Sequence, residues 1–254
     1  MISSITIAKN EENNIKRCLN SLMDCIDEII VLVDSKSTDN TFPLVQSYGD
    51  KVKCIKTDWK GYSQTKQEAV SYCTNNWILW IDADEAVTPE LSVELNQLKN
   101  DKKEFSVYSI PRKAYFLGKW IKNSGWYPGR VERLFDKNKV KFSDSNVHEH
   151  LIYEGISGKL NSDLEHYTDP NIHHYFEKFN RYTTLAAEEL KTKKEKASIN
   201  DLFLRPVFIF VKMFILRQGY RDGIHGFILA VFSSMYVFVK YAKLWEIKNN
   251  KSNK

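Results

Sequence analysis

The spacing of apolar and polar positions switches repeatedly between a strand period and a helix period over the first hundred residues. Ile2 to Ala8 is short, β-branched and partly alternating, which predicts a first strand. Lys9-Asn10-Glu11-Glu12-Asn13 then opens a helix, with Asn10 as its N-cap and acids in its first turn. Ile15, Leu19, Leu22 and Met23 fall at helical spacing and face a sheet. Glu28 to Val33 reads as a second buried strand, ending at Asp34. A turn-rich loop, Ser35-Lys36-Ser37-Thr38-Asp39-Asn40-Thr41, leads into a helix through about Tyr48, and Val52 to Ile55 is a third strand. Lys60 to Lys66 caps a helix that runs to Cys73. Trp77-Ile78-Leu79-Trp80-Ile81 follows, an unbroken apolar run of the kind a central strand buried on both faces requires. It stops at Asp82, Asp84 and Glu85. Strand and helix alternate throughout, so the expected fold is α/β, a Rossmann-like and mainly parallel sheet flanked by helices.

Beyond residue 100 the pattern loosens. Phe105 to Pro111 predicts a strand, Arg112 to Gly125 an aromatic-rich connection, and Val131-Glu132-Arg133-Leu134-Phe135 another strand. From about Phe176 the periodicity becomes helical. The expected division is a catalytic domain over 1–175 and a helical region over 176–254. Within the latter, Val207–Leu216 and Phe227–Val239 are apolar, but neither reaches the ~18–20 uninterrupted residues that span a bilayer. Lys212 interrupts the first; Ser233, Ser234 and Lys240 limit the second. Flanked by Arg205, Arg217, Arg221, Lys240 and Lys243, the pair fits an interfacial, membrane-associating element. Packing on the α/β domain or on a second copy in a homo-oligomer is the alternative.

Composition narrows the class. A chain of 254 residues with 43% hydrophobic and 27% charged positions is globular. The net charge of +5 is unevenly spread, with lysines at 191, 193, 194 and 196 and a basic tail from Lys240. No basic stripe interleaved with aromatics lies on the α/β half, which argues against nucleic acid as the partner and for an anionic membrane surface. The cysteines at 18, 25, 54 and 73 have neither the spacing of a zinc site nor that of a disulfide framework. No basic and apolar leader pattern opens the sequence. The expected location is therefore cytoplasmic, peripheral to the inner face of the cytoplasmic membrane.

The candidate chemistry gathers where strands end. Asp34 and the pair Asp82 and Asp84 all follow strands, so they belong on one rim of one sheet, where ligands of open α/β sheets bind. Paired carboxylates there suit a hard cation, Mg²⁺ or Mn²⁺, bridging to phosphate. Neither G-x-G-x-x-G nor a Walker A loop is present, so phosphate charge falls to metal and basic side chains. Arg130 and Arg133 are candidates, although Arg133 on its strand suits pairing with an internal carboxylate equally well. His148-Glu149-His150 is a second centre: Glu149 is the candidate general base, and His148 a ligand, an orienting partner or the base itself.

Several motifs together carry a resemblance. Thr6-x-Ala8-Lys9-Asn10-Glu11, Val33-Asp34-Ser35-x-Ser37-Thr38-Asp39-x-Thr41, Lys60-Gly61-Tyr62-x-Gln64-x-Lys66 and Trp77-Ile78-Leu79-x-x-Asp82-Ala83-Asp84-Glu85 resemble the family 2 inverting glycosyltransferases, which have the GT-A fold. Within these, the chain looks like the bacterial lipopolysaccharide-core β-glucosyltransferases. The likeness continues through Gly118-Lys119-Trp120, Gly125-Trp126-Tyr127-Pro128, Arg133-Leu134-Phe135, Val147-His148-Glu149 and Asn180-Arg181-Tyr182. Lys36 departs from the glycine usual in the family. The resemblance implies that Glu11 and Asp34 contact a uridine-type nucleoside and that Lys66 lies near its base or phosphates. It further implies that Asp82 holds ribose or metal, Asp84 ligates the metal, and His166 approaches it from the C-terminal side. It predicts transfer of a hexose, glucose foremost, from a UDP-sugar to a saccharide or lipid-linked saccharide acceptor. The alternatives are a nucleotidyltransferase, which needs a Gly-rich basic loop after the first strand, and an inactive membrane-bound scaffold.

Overall fold

A computed structural model describes residues 1–101, 103–143, 150–193 and 197–249. The elements in chain order begin with β1 (Ile2–Ala8), α1 (Ile15–Leu22), β2 (Glu28–Asp34), α2 (Thr41–Gln46), β3 (Val52–Thr57), α3 (Tyr62–Ser71) and β4 (Trp77–Trp80). They continue with β5 (Glu85–Val87), α4 (Pro89–Asn100), β6 (Val107–Phe116), β7 (Lys119–Trp120), β8 (Gly129–Asp136), β9 (Lys141–Phe142), β10 (Leu151–Ile152), β11 (Gly158–Lys159) and β12 (Leu164–Asp169). Three helices complete the chain: α5 (Ile172–Thr192), α6 (Ile199–Val211) and α7 (Ile224–Asn249).

The chain forms two compact units, Met1–Arg112 with Gly129–His166, and Lys113–Pro128 with Tyr167–Lys254. The segment 113–128 groups with the C-terminal helices.

The sheet runs β3-β2-β1-β4-β8-β6-β12-β5. Its first four strands are parallel, as the alternation predicts, and β8 then joins β4 antiparallel. Strand periodicity sorts the apolar side chains onto two faces. Ile29, Val31 and Val33 pack in one cluster with Ile15, Leu19 and Leu22 of α1 and with Leu91 and Leu95 of α4. Ile30 and Leu32 join Ala69 and Val70 of α3 in the other. A sheet covered on both faces explains the continuous apolar runs, since nearly every residue of β1, β2 and β4 is buried. Helix α4 starts where Thr88 accepts the Leu91 N–H with Pro89 in the first turn, a favourable N-terminus.

Three expectations are corrected. Asn10 does not cap α1: it sits at φ 55°, in the left-handed region that Asn tolerates, and the helix begins only at Ile15. The predicted strand ending at Pro111 runs on to Phe116 and turns back through Leu117 and Gly118, both at positive φ, into β7. Two such residues make the hairpin turn whose twist matches its strands, so half of the aromatic connection is sheet. Finally, α7 continues through Ser233, Ser234 and Lys240 as one 26-residue helix, with an 18-residue window of mean hydropathy 1.5. By length and composition it is sufficient to cross a membrane, because a helix tolerates a pair of serines that breaks a count of consecutive apolar residues.

Trp126 and Trp120 belong to the second unit. Trp126 packs edge-on against Phe116, beside Leu229 and Phe232, and so takes the core role rather than that of an open sugar platform.

Leu79→Ala, at a fully buried position of β4, is expected to cost about 2–5 kcal/mol in chemical denaturation. Val93→Ala, on the exposed side of α4, is expected to stay within about 0.5 kcal/mol.

Candidate active site

Because β2, β1 and β4 are neighbours and parallel, the residues that follow them share one rim. Asp34 ends β2 with its side chain wholly buried. Lys9, just past β1, places Nζ 2.7 Å from one Asp34 carboxylate oxygen, and the Lys36 N–H donates to the other at 3.0 Å. Burial alone raises this carboxyl; Lys9 and the Lys36 amide outweigh it and hold the group below its ordinary value of 3.8.

The loops after β1 and β2 are laced together. Thr41 Oγ1 accepts the Glu11 N–H at 2.7 Å and donates to Asp39 at 2.7 Å, while the other Asp39 oxygen accepts the Glu12 N–H at 2.9 Å. The Thr38 N–H donates to Asn10 Oδ1 at 2.8 Å, and Glu12 accepts both the backbone and side-chain amides of Asn40 at 3.0 Å. The left-handed backbone at Asn10 is what brings its side chain to Thr38. Glu11 lies half-buried within this lacework, and its carboxylate accepts the Asn14 side-chain amide at 2.9 Å.

The Asp82-Ala83-Asp84-Glu85 turn carries the densest charge. Arg133 Nη2 donates to Asp82 at 2.6 Å and to Glu85 at 2.7 Å, and Arg112 lies 3.7 Å from Glu85. Asp82's other oxygen accepts the Trp80 indole N–H at 3.1 Å and lies 3.5 Å from Lys66 Nζ. Lys66 and Arg133 also sit 3.8 and 4.1 Å from the Trp80 ring centroid, where the ring face attracts both cations. The turn is closed by Glu85, whose side chain accepts the Asp82 N–H at 3.1 Å. Burial works against the Asp82 charge, but Arg133 first and Lys66 next prevail, keeping its carboxyl well below the usual range. For Arg133 burial likewise opposes the charge, and Asp82 and Glu85 hold the guanidinium protonated more firmly than usual.

Arg133 owes its place to a break in sheet register. Tyr108 pairs with Leu134 but Ser109 with Glu132, so Arg133 is the extra residue of a β-bulge, a device that re-aims a side chain. Of its two readings, the internal carboxylate pairing is the one the fold adopts. Arg130 does not join this group: it donates to the carbonyls of Ser109 at 3.1 Å and Leu160 at 2.9 Å.

Asp84 points elsewhere in the turn. Its Oδ2 lies 3.4 Å from Nε2 of His166 on β12, whose Nδ1 is buried with no hydrogen-bond partner among the described residues. A carboxylate and an imidazole side by side fit a Mg²⁺ or Mn²⁺ ion. Among the described residues no group of three His, Cys, Asp or Glu side chains closes a protein-only cage. Glu149 and His148 lie outside the described residues.

Lys9, Trp80, Arg112 and the lacing pair Glu12 and Asp39 were not assigned roles from the sequence. Only Asp39 left a local signal, since Asp-x-Thr is an Asx-turn pattern, here with the Thr41 N–H donating to Asp39 at 3.0 Å. All four cysteines are free thiols; burial pushes Cys54 up to about 11 and Cys73 up to about 12, which leaves them unreactive.

A parallel half-sheet continued by antiparallel strands, with acids on the rim of the parallel half, is the arrangement of a GT-A-type fold. Residues 3–153 match the family model described as glycosyl transferase family 2, and the chain belongs to that family. It is 30% identical to the lipopolysaccharide core biosynthesis glycosyltransferase LpsC of Rhizobium meliloti, over 96% of this chain and 92% of that protein. An uncharacterised glycosyltransferase of Rickettsia typhi is 31% identical over 99% of this chain and 89% of its own. Among solved structures, the mannosyltransferase PcManGT of Pyrobaculum calidifontis, in complex with GDP-Man and Mn²⁺, superposes with a TM-score of 0.57. It covers 96% of this chain and 86% of its own at 12% identity, a likeness of fold. Family membership decides against the nucleotidyltransferase alternative.

Arg133→Met strands the buried Glu85 and half-buried Asp82 charges, and is expected to cost about 3–5 kcal/mol of stability in denaturant titration. Asp34 has a folded-state pKa below its unfolded value, so its stabilisation is present above that value and lost as pH falls through the folded one. Unfolding free energy is therefore expected to fall more steeply below pH 3.8 in the parent than in Asp34→Asn.

Proposed function

We propose that the protein transfers a hexose, glucose foremost, from a UDP-sugar to a lipopolysaccharide-core or other cell-envelope glycan, with inversion and with Mg²⁺ or Mn²⁺. The observation that carries this is the division of labour within one turn. Asp82 and Glu85 are neutralised by protein cations, while Asp84 stands beside His166 as a donor pair for a divalent ion. Asp84 and His166 would hold such an ion, which would supply charge neutralisation for a departing diphosphate without proton transfer. The laced loops bearing Glu11 and Asp34 form the nucleoside side of the site, preorganised before the donor arrives. Lys66, anchored on Trp80 and Asp82, adds positive potential near the base or phosphates. Inversion needs one base for the acceptor hydroxyl, assigned from the sequence to Glu149 with His148 next.

The acceptor assignment draws on LpsC, named for lipopolysaccharide core biosynthesis. A donor and cation of these classes accompany PcManGT, whose structure contains GDP-Man and Mn²⁺. The proposal extends to location: a cytoplasmic enzyme peripheral to the inner face of the cytoplasmic membrane, where lipid-linked acceptors are presented.

In calorimetry, full-length protein is expected to bind UDP more tightly with Mn²⁺ than without, and Asp84→Ala to remove that increment; an unchanged increment takes Asp84 out of the site. Glu149→Gln is expected to retain UDP binding and lose about 10²–10⁴-fold in turnover with a nucleotide-sugar panel. Near-parent turnover would move the base elsewhere, and no transfer by the parent to any glycan acceptor would favour the scaffold reading.

A further inference from the structure

Most of the large apolar side chains that stand exposed lie between Ile199 and Trp245. On α6 they follow helical spacing: Phe203, Val207 and Val211 recur every fourth residue, and Ile215 continues the row through the π-helical turn at Lys212–Leu216. Leu204 and Phe208 widen it. Leu216, Tyr220 and Ile224 extend the exposed apolar surface around the turn into α7. An ordinary surface helix turns its apolar face inward. Here the inward contacts are already made by other residues, since Phe210 and Phe214 pack on Phe227 and Ser234 bonds to the Pro206 carbonyl.

The charges in the same stretch are sorted by sign. Its only carboxylates are Asp201 and Asp222, and both are buried. Asp201 closes the capping box of α6 with Ser198, and Asp222 accepts the Lys122 and Asn123 N–H groups. Lys212, Arg217 and Arg221 stand exposed at the turn. The exposed side of α6 and the turn is thus largely apolar, with cations at the turn and no exposed carboxylate of its own, the complement of an anionic bilayer.

A spanning role for α7 conflicts with its partner. Tyr175, Phe179 and Ala187 of α5 pack against Phe232, Tyr236, Tyr241 and Leu244 of α7, and Lys243 bonds to Asn180, Thr183 and Thr184. Immersing α7 carries α5 with it, including exposed Glu177, Arg181 and Glu188, charges that are costly in the hydrocarbon of a bilayer.

We propose that the α6 face and the turn that follows it form an interfacial docking surface for anionic phospholipid, lying on the membrane rather than crossing it. This deepens the location proposed above and is tested without donor or acceptor, so its failure leaves the sugar-transfer reading untouched. Full-length protein is sedimented with phosphatidylcholine vesicles with or without phosphatidylglycerol. Binding is expected only with phosphatidylglycerol and weakens at least tenfold at high salt. Arg217→Glu with Arg221→Glu is expected to weaken it at least tenfold, and Val207→Glu with Phe208→Glu to abolish it, with unchanged circular dichroism and UDP affinity. Three results overturn the proposal: no binding, equal binding to neutral vesicles, or retention on vesicles after alkaline carbonate extraction, the mark of a spanning helix. So does a dimer in light scattering that Val207→Glu with Phe208→Glu dissociates while vesicle binding persists, because the face is then an interface between copies.

Discussion

Setting Asp82, Asp84 and Glu85 within four residues of a strand end, with Glu85 fully buried, is unfavourable unless opposite charge is built in, and Arg133 meets this constraint for Asp82 and Glu85. One guanidinium bridges Asp82 and Glu85, and Lys66 reaches Asp82 from α3. Trp80, the last residue of β4, gives both cations an aromatic face and gives Asp82 an indole donor. Without this compensation the turn would have to protonate or open to water. The bulge in β8 that aims Arg133 is therefore as much a part of the site as the acids themselves.

The same principle separates roles among similar residues. Asp34 is held by Lys9 and a backbone amide, Asp82 and Glu85 by Arg133, and Asp84 lies beside an imidazole. Four acids of the same charge thus occupy three electrostatic settings on one rim. Meanwhile the loops of Glu11 and Asp39 are fixed by reciprocal hydrogen bonds, so their ordering cost has already been met in folding.

The C-terminal unit follows a different logic. On α6 and the turn after it the two carboxylates, Asp201 and Asp222, are buried and bonded, while apolar and cationic side chains remain outside. That face departs from the usual pattern of a surface helix, which turns its apolar side inward.

Period and composition were enough, from the sequence, to specify the parallel strands, the helices between them, and the convergence of Asp34 and Asp82 on one rim. Those features depend on local periodicity and on the rule that parallel strands share a direction, both readable along the chain. The family likeness added the nucleoside and metal roles. Tertiary structure alone decided that Arg133 faces carboxylates while Arg130 ties backbone carbonyls, because a one-residue bulge opposite Tyr108 and Ser109 has no local sequence mark. It alone brought Lys9 to Asp34 and His166 to Asp84, contacts that require strands distant in sequence to become neighbours. The turn at Leu117 and Gly118 and the continuous length of α7 were likewise set by pairing and packing, which a count of consecutive apolar residues does not register.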